Sequence, residues 1–545
     1  MADILGIGTS ALNSLQRAMS TTGHNIANVN TEGYSRQSVN FVTSEPEYSG
    51  RAALGTGVRI GSIERAYDQF LTSDVQNKTA SSSYANSFAQ TAGRVDNLLA
   101  DPATSVASAM DTFFASMEAV ANSPTSLPER QVMLAEAETL AQRFQYLDAR
   151  LDDFGDELNS RIKFSTIEIN QLGQTIADLN NEIARVTAST GVAPNDLLDQ
   201  RDLAITELSG FVKTTTQLQG DGSLNVFIGR GQPLVVGGRA EQMTAVPDPL
   251  NDNASLIYLT AGDSIQSDVT SYMSGGELGA ALDASATVIE STRRDLGLLA
   301  VGIIETFNAQ HAQGDDLNGI VGGDFFVPIT PAVTGGDTNS TNSVVSAQIT
   351  DAAQLTGDSY QLEYSGGGAT LRNLTTGQNQ VLTGTSITIE GVQIDFTAAG
   401  AATDGDRFLI EPTAFGASAI NVAIEDPVDI AAAASNGNVG DNSNMLALIE
   451  LRDAKTLAGS DESYYDFYNG VVIDVAVQTR RANSSATTEN ALLSSAQGRQ
   501  SSVQGVNLDE EAANLIRYQQ AYQAAAQIIA VANEAFDTVL RATAR

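Results

Sequence analysis

Two heptad-like stripes, one at each end of the chain, most constrain what this sequence can fold into. Near the start, Leu5, Gly8, Leu12, Leu15, Met19, Thr22, Ile26 and Val29 recur at alternating steps of three and four. Near the end, Leu515, Tyr518, Tyr522, Ala525, Ile529, Ala532, Phe536 and Val539 do the same. That spacing averages about 3.5, the period of a helix that lays an apolar seam against another helix. Asp509, Glu510 and Glu511 open the second stripe while Arg541 and Arg545 close it, a distribution that suits the helix dipole. An amphipathic helix is ordinarily one wall of a bundle. These two sit where chain ends are normally least ordered. A pair of about 30 residues each reaches ~45 Å at 1.5 Å per residue. A rod that long with so thin a seam does not bury its apolar residues alone, so the pattern predicts polymerisation with copies of itself or with similar subunits.

Between the stripes the period changes several times. The first stripe stops at Asn28-Val-Asn-Thr-Glu-Gly33-Tyr34, where Asn and Gly favour a helix end, and an extended polar stretch follows. Helical periodicity returns from Tyr67 to Gly210, with a long run over Glu129–Val186 that implies a bundle or coiled coil. Residues 214–260 alternate around glycine turns and read as short hairpins. Gly276–Ala312 is helical again, 337–412 is β-rich, and helices resume near Asn442. The predicted class is an α+β multidomain protein. A terminal α-helical coiled coil and a long-helix bundle are built from both chain ends, with β-rich domains inserted in the middle. The expected boundaries are 1–40 with 506–545 for the coiled coil, and 41–212 with 263–315 and 440–505 for the bundle. A hairpin region at 213–262 and a β-rich outer domain at 320–430 complete the division.

Composition removes several function classes. A net charge of −36 opposes nucleic-acid binding, which uses clustered Lys and Arg on phosphates, and opposes an anionic membrane surface. No stretch approaches the length of a membrane helix, and the opening MADILGIGTSALNSLQ shows no basic and apolar pattern of a Sec-type signal, so none is expected. With no cysteine, thiolate metal sites and cysteine nucleophiles are excluded. His24 and His311 are the only histidines. They stand far apart and without further ligands, so both read as structural. Gly6-Ile-Gly8-Thr-Ser-Ala11 lacks the preceding strand of a dinucleotide fingerprint. Ser160-Arg-Ile-Lys163 lies inside a helix without the partner motifs of a serine enzyme. Asp315-Asp316-Leu-Asn318-Gly319 lacks EF-hand spacing and reads as a solvated turn. The chain is therefore expected to be non-enzymatic, with no cofactor and no catalytic or metal site.

The stretch Asn25-Ile-Ala-Asn28-Val-Asn30-Thr31-Glu-Gly33-Tyr34-Ser-Arg36-Gln37 resembles the N-terminal signature of flagellar rod, hook and hook-associated proteins. Val506-Asn-Leu-Asp-Glu-Glu511-Ala-Ala-Asn514-Leu515 and Tyr518-Gln-Gln-Ala-Tyr522 resemble their C-terminal signature. Ser35-Arg36, Asn195-Asp-Leu-Leu-Asp199-Gln-Arg-Asp202 and Phe307-Asn-Ala-Gln-His311, followed by Gly323-Asp-Phe-Phe326, favour the hook-associated branch. The resemblance does not reach residues 337–412. It implies a structural subunit at the junction of hook and filament, assembled by its terminal helices. The expected N-terminal interface residues are Leu5, Leu12, Leu15, Met19 and Ile26, and the family motif residues are Asn25, Asn28, Asn30, Thr31, Gly33 and Tyr34. The expected C-terminal interface residues are Leu515, Tyr518, Tyr522, Ile529, Phe536 and Val539. It also implies export without a cleaved signal to the extracellular flagellum. The implied partners are copies of the chain in a ring or helix, the hook protein, hook-associated protein 3 and a cytoplasmic chaperone at the C-terminal segment, with no nucleic acid and no membrane insertion. A hook or distal rod protein, an enzyme carried in the β-rich insertion, and a surface adhesin are the alternatives.

Overall fold

A computed structural model describes residues 4–49, 52–261, 265–398, 401–457 and 459–543. The chain starts in α1 (Ile4–Ala27), then forms β1 (Gln37–Thr43), β2 (Glu47–Ser49), β3 (Ala52–Leu54) and β4 (Val58–Arg65). β1 pairs antiparallel with β4, and β2 with β3 beyond it, so the segment is one bent hairpin. α1 lies along this hairpin: the Ser14 hydroxyl donates to the Val58 carbonyl at 3.3 Å. The sequence reading placed 41–66 in the bundle. The alternating β-branched residues of 58–63 instead pair with those of 39–43, and the hairpin belongs with α1.

The bundle is built from α2 (Gln69–Ala100), α3 (Val106–Asn122), α4 (Leu127–Thr190) and α5 (Asn195–Phe211). Asp68 caps α2 by accepting from the Phe70 and Leu71 amides at 2.8 and 3.2 Å. α4 runs 64 residues and is the spine, about 95 Å long at 1.5 Å per residue.

Beside the spine stand β5 (Thr214–Leu218), β6 (Leu224–Ile228), β7 (Gln232–Val236) and β8 (Arg239–Ala240), then β9 (Gln242–Asp248), β10 (Asn251–Ala261) and β11 (Ile265–Asp268). They form a four-stranded and a three-stranded antiparallel sheet. Asparagines about three turns apart on α4 hold them. Asn159 donates to the Asn253 carbonyl at 2.9 Å, Asn170 to Met243 at 2.8 Å and Asn181 to Gly238 at 2.9 Å. Edge backbone groups that would face apolar packing are thereby satisfied. The strands continue to Asp268, past the boundary expected at 262, which itself lies outside the described residues, as does Arg545.

α6 (Gly276–Ala284) passes through a π-turn (Ser285–Ile289) into α7 (Glu290–His311). After β12 (Gly314–Asp315) the chain leaves for the outer domain: β13 (Ala332–Gly335), β14 (Val345–Ile349), β15 (Tyr360–Ser365), β16 (Gly368–Asn373), β17 (Asn379–Leu382), β18 (Ser386–Ile389), β19 (Val392–Phe396) and β20 (Arg407–Glu411). Its five-stranded sheet has the order β13-β20-β15-β16-β17, its three-stranded sheet β14-β19-β18. Tyr360, Leu362, Tyr364, Ile394 and Ile410 fill the core between them. This unit is narrower than the expected 320–430. Phe325, Phe326, Ala417, Ile420 and Ile430 are buried in the bundle core instead.

The return path holds a one-turn α8 (Gly416–Ala419), β21 (Ala433–Ala434), α9 (Ser443–Glu450), α10 (Tyr464–Gln504) and α11 (Leu508–Thr543). α10 lies antiparallel on α2 through a ridge of Ala85, Ala89, Ala482 and Ala486, small side chains that let the helices approach closely. Among the described residues no helix is long and apolar enough to cross a membrane. The fold class read from the sequence holds: helices from both ends enclose inserted β-rich units.

At the end of the bundle away from the termini, Phe113, Phe307, Phe325 and Phe326 meet with ring centroids 4.8 to 6.2 Å apart. Asn308 stitches this turn, donating to the Phe326 carbonyl at 2.8 Å and accepting from the Phe325 and Phe326 amides at 2.9 and 2.8 Å. Asp315 and Asp316 are buried, not solvated. Asp316 accepts from the Asn318 and Ile320 amides at 2.8 and 2.7 Å. His311 is fully buried: its Nε2 accepts from the Ala431 amide at 2.9 Å, which makes Nδ1 the donor to Gly323 at 2.8 Å. Burial holds His311 below its ordinary value. Above the unfolded value of about 6.5 both states are neutral. As pH falls through it the unfolded chain takes up a proton that the fold resists, so stability is lost. Urea unfolding of His311→Gln beside the wild type is expected to show the wild-type advantage narrowing from pH 7.5 to pH 5.

Candidate assembly interface

The helices α1 and α11 run antiparallel along each other. At one end Asn25 Nδ2 donates to Glu511 Oε2 at 3.1 Å. At the other, a Cβ built on Gly8 would lie 2.6 Å from Ile529 Cγ1, so only glycine allows this approach. Gly8 is the second position of the predicted stripe, and a 3.6-residue period puts Leu12, Leu15, Met19 and Ile26 on the same side. Those four, with Leu5, are half-buried. The fully buried residues of α1 are Gly8 and Thr22 of the stripe together with Ser14, Ala18, Thr21 and Asn25 beside it, and Ser14 and Asn25 bond to the hairpin. Small and polar residues, Gly8 and Thr22 of the stripe among them, are thus the ones fully buried within the chain, and the large apolar residues of the stripe stay half-buried.

α11 carries its apolar residues further out. Tyr518, Tyr522 and Ile529 are half-buried, and Tyr518 meets Phe41 of the hairpin at 6.2 Å between centroids. Leu515 is 36%, Ile516 55%, Val531 66%, Phe536 60% and Val539 58% exposed. Large apolar side chains scattered singly on a surface are ordinary, whereas several exposed on more than one side of a single helix mark a contact.

The family motif has another task, joining the terminal pair to the bundle. Buried Asn25 uses all its capacity: besides Glu511, its Nδ2 donates to the Gln37 carbonyl at 2.8 Å, and its Oδ1 accepts from the Gln37 amide at 2.9 Å and the Tyr34 hydroxyl at 2.8 Å. Burial, then Asp196, Asp199 and Glu511, raise the Tyr34 phenol well above its ordinary value, so it remains a donor. Asn28 closes α1 by donating to His24 O at 3.0 Å and accepting from the Thr31 hydroxyl at 3.1 Å. His24 stacks edgewise on Tyr34 at 5.5 Å. Asn30 is exposed. Gly33 has φ +76°, and a Cβ there would also meet Leu203 Cβ at 3.0 Å.

Sequence reasoning quoted Asp199 and Asp202 in a motif without giving them a role. Asp199 accepts from the Ser35 amide at 2.9 Å and from Arg65 at 2.8 Å, and Arg65 reaches Asp202 at 2.7 Å. Burial works against the Arg65 charge, but Asp202 and Asp199 outweigh it and leave its value raised. Arg36 bridges Glu510 at 2.8 Å and Glu511 at 3.4 Å, and its amide donates to Gln504 O at 2.8 Å.

Two substitutions probe this joint. Asn25→Ala leaves the Gln37 amide and carbonyl without their partner and Glu511 with Arg36 alone, at a cost of about 2–4 kcal/mol. Hydrogen exchange is expected to rise in α1 and β1 while α4 stays protected. Gly33→Ala places a Cβ at positive φ against Leu203 and is expected to lower stability by about 1–2 kcal/mol in urea unfolding.

Residues 92–326 match the helical domain of flagellar hook-associated protein FlgK. Residues 5–34 match the flagella basal body rod protein family, and 497–542 the C-terminal region of flagellar basal body rod FlgEFG proteins. The chain is 31% identical over 557 residues to flagellar hook-associated protein 1 of Salmonella typhimurium, with 99% of this chain and 100% of that protein covered. To the protein of the same name from Bacillus subtilis it is 25% identical over 571 residues, covering 98% and 97%. The solved structure of the flagellar hook junction protein FlgK from Burkholderia pseudomallei shares the fold, with a TM-score of 0.73 at 22% identity over 79% of this chain and 100% of that one. Matched end to end by such relatives, and built with helices from both termini, this chain belongs to the flagellar hook-associated protein 1 family of structural components of the bacterial flagellum.

Proposed function

We propose that this chain is a non-enzymatic structural subunit of the junction between hook and filament, held there by packing of its terminal helices. The apolar run left exposed on the antiparallel α1–α11 pair carries this reading. The interface comprises Leu5, Leu12, Leu15, Met19 and Ile26 from α1 with Leu515, Tyr518, Tyr522, Ile529, Phe536 and Val539 from α11. A pair one helix thick gains burial for these residues only from neighbours, and each ~25 Å² of apolar surface covered contributes roughly 0.6 kcal/mol. The contact is heterologous and repeats around a ring or helix, because the surface given by one copy differs from the surface received by the next.

The family resemblance supplies the rest of the reading. Residues 1–40 with 506–545 line the inner tube, the bundle forms a second layer and the outer domain faces away. The chain contacts the hook protein on one side and hook-associated protein 3 on the other. Before export without a cleaved signal, a cytoplasmic chaperone holds the C-terminal segment.

A deletion strain complemented with wild type or with Leu515→Asp tests this by electron microscopy. The expected result is intact hooks without filaments, and filament protein in the medium, for both the deletion and the variant. The variant monomer should keep the wild-type unfolding midpoint, because Leu515 supports no core in the free chain. Normal filaments with Leu515→Asp would overturn the seam. Absent hooks in the deletion would move the protein to the hook or rod.

A further inference from the structure

α10 packs on α2 with one face, and its opposite face carries Ile473 and Val477, 59% and 40% exposed, followed by exposed Arg480 and Arg481. Successive steps of three and four put these four residues on one side of the helix. Neither arginine has an ion pair among the described residues, although the chain holds 65 acidic against 29 basic side chains. No acidic residue lies three or four positions from either one along the helix. Two adjacent cations beside exposed Ile473 and Val477 make a basic, partly apolar helix face, the complement of an acidic, partly apolar one.

A complementary surface lies on the cap at the end of the bundle where α10 begins. There the loop after α7 runs beside the segment returning from the outer domain: the Leu317 amide donates to Val428 O at 3.2 Å and the Ala423 amide to Phe325 O at 2.8 Å. Ile320 and Val321 are 63% and 60% exposed on this cap, with exposed Asp324, Glu425 and Asp426 around them. None of these acids has an ion pair among the described residues. Tyr464, the first residue of α10, stacks on Phe114 beside the same aromatic cluster. Ile473 and Arg481 therefore lie about 13 and 25 Å along α10 from the cap end, at 1.5 Å per residue.

We infer that the Ile473–Arg481 face of α10 docks on the acidic, apolar cap of a second copy of this chain. One copy gives the basic helix face and the next gives the cap, so the contact is heterologous and sets neighbours side by side. Subunits of like net charge repel one another, and this contact puts unpaired arginines against unpaired carboxylates where copies meet. The inference rests on the self-assembly proposed above and adds a contact in the second layer, remote from the terminal seam.

The full chain tests it in a strain lacking the native gene. Arg480→Glu with Arg481→Glu should cut the number of filaments per cell at least tenfold while the soluble monomer keeps its circular dichroism and unfolding midpoint. Adding Asp324→Arg and Asp426→Arg should restore filaments to within threefold of wild type. Because the chain has no cysteine, a strain making one copy with Arg481→Cys and another with Asp324→Cys should give a dimer with a short bis-maleimide. Each variant alone should not. Normal filament numbers with the double glutamate variant overturn the inference, as does loss of filaments that the charge swap fails to restore with no cross-linked dimer. Leu515→Asp in the same strain separates the two readings: if it still blocks filaments, the terminal seam stands although the lateral contact falls.

Discussion

The two ends of the chain meet at a buried hydrogen bond between Asn25 and Glu511, 486 residues apart in sequence. Everything between must leave α1 and come back to α11, so the whole molecule is a set of out-and-back excursions. α2 goes out and α10 returns along it. The hairpin, the two small sheets and the outer β domain are each detours that end near where they began.

The joint at the closure is polar for a physical reason. An apolar contact between α1 and the hairpin would tolerate sliding, because burial is proportional to area and has no direction. Asn25 instead needs the Gln37 amide and carbonyl, the Tyr34 hydroxyl and Glu511 all in place, and Asp199 needs Arg65 and the Ser35 amide. A buried polar group that loses its partners costs more than a shifted apolar contact. The network therefore fixes register, while the apolar residues of the terminal helices stay at the margin where other subunits can cover them. The same division recurs along α4, where asparagines pin strand edges and the apolar rows form the core.

Much of the fold was legible. Periodicity located α1, α4, α7 and α11 because long amphipathic helices repeat their signal over many turns, and turn glycines located the small strands. The hairpin at 37–65 was missed as a partner of α1, since its main strands β1 and β4 pair across an intervening segment, and only the fold sets α1 against them. The outer domain was drawn too wide because Phe325, Phe326, Ile420 and Ile430 lie in stretches without helical period. Only packing shows that they belong to the bundle core. Asp315 and Asp316 read as solvated because carboxylates usually are, yet both are buried here and accept from backbone amides of Asn436 and Ile320.

By itself the sequence determined that both ends are helices with apolar stripes, that β-rich units lie between them, and that the terminal motifs are those of flagellar axial proteins. These follow from local periodicity and from residues adjacent in sequence. Tertiary structure alone decided which face of α1 is buried, that Asp199, Arg65 and Glu511 complete the motif around Asn25, and where the bundle ends and the outer domain begins. Those depend on contacts between residues far apart in the chain, and the free energy of such a contact is set by what the fold brings to it.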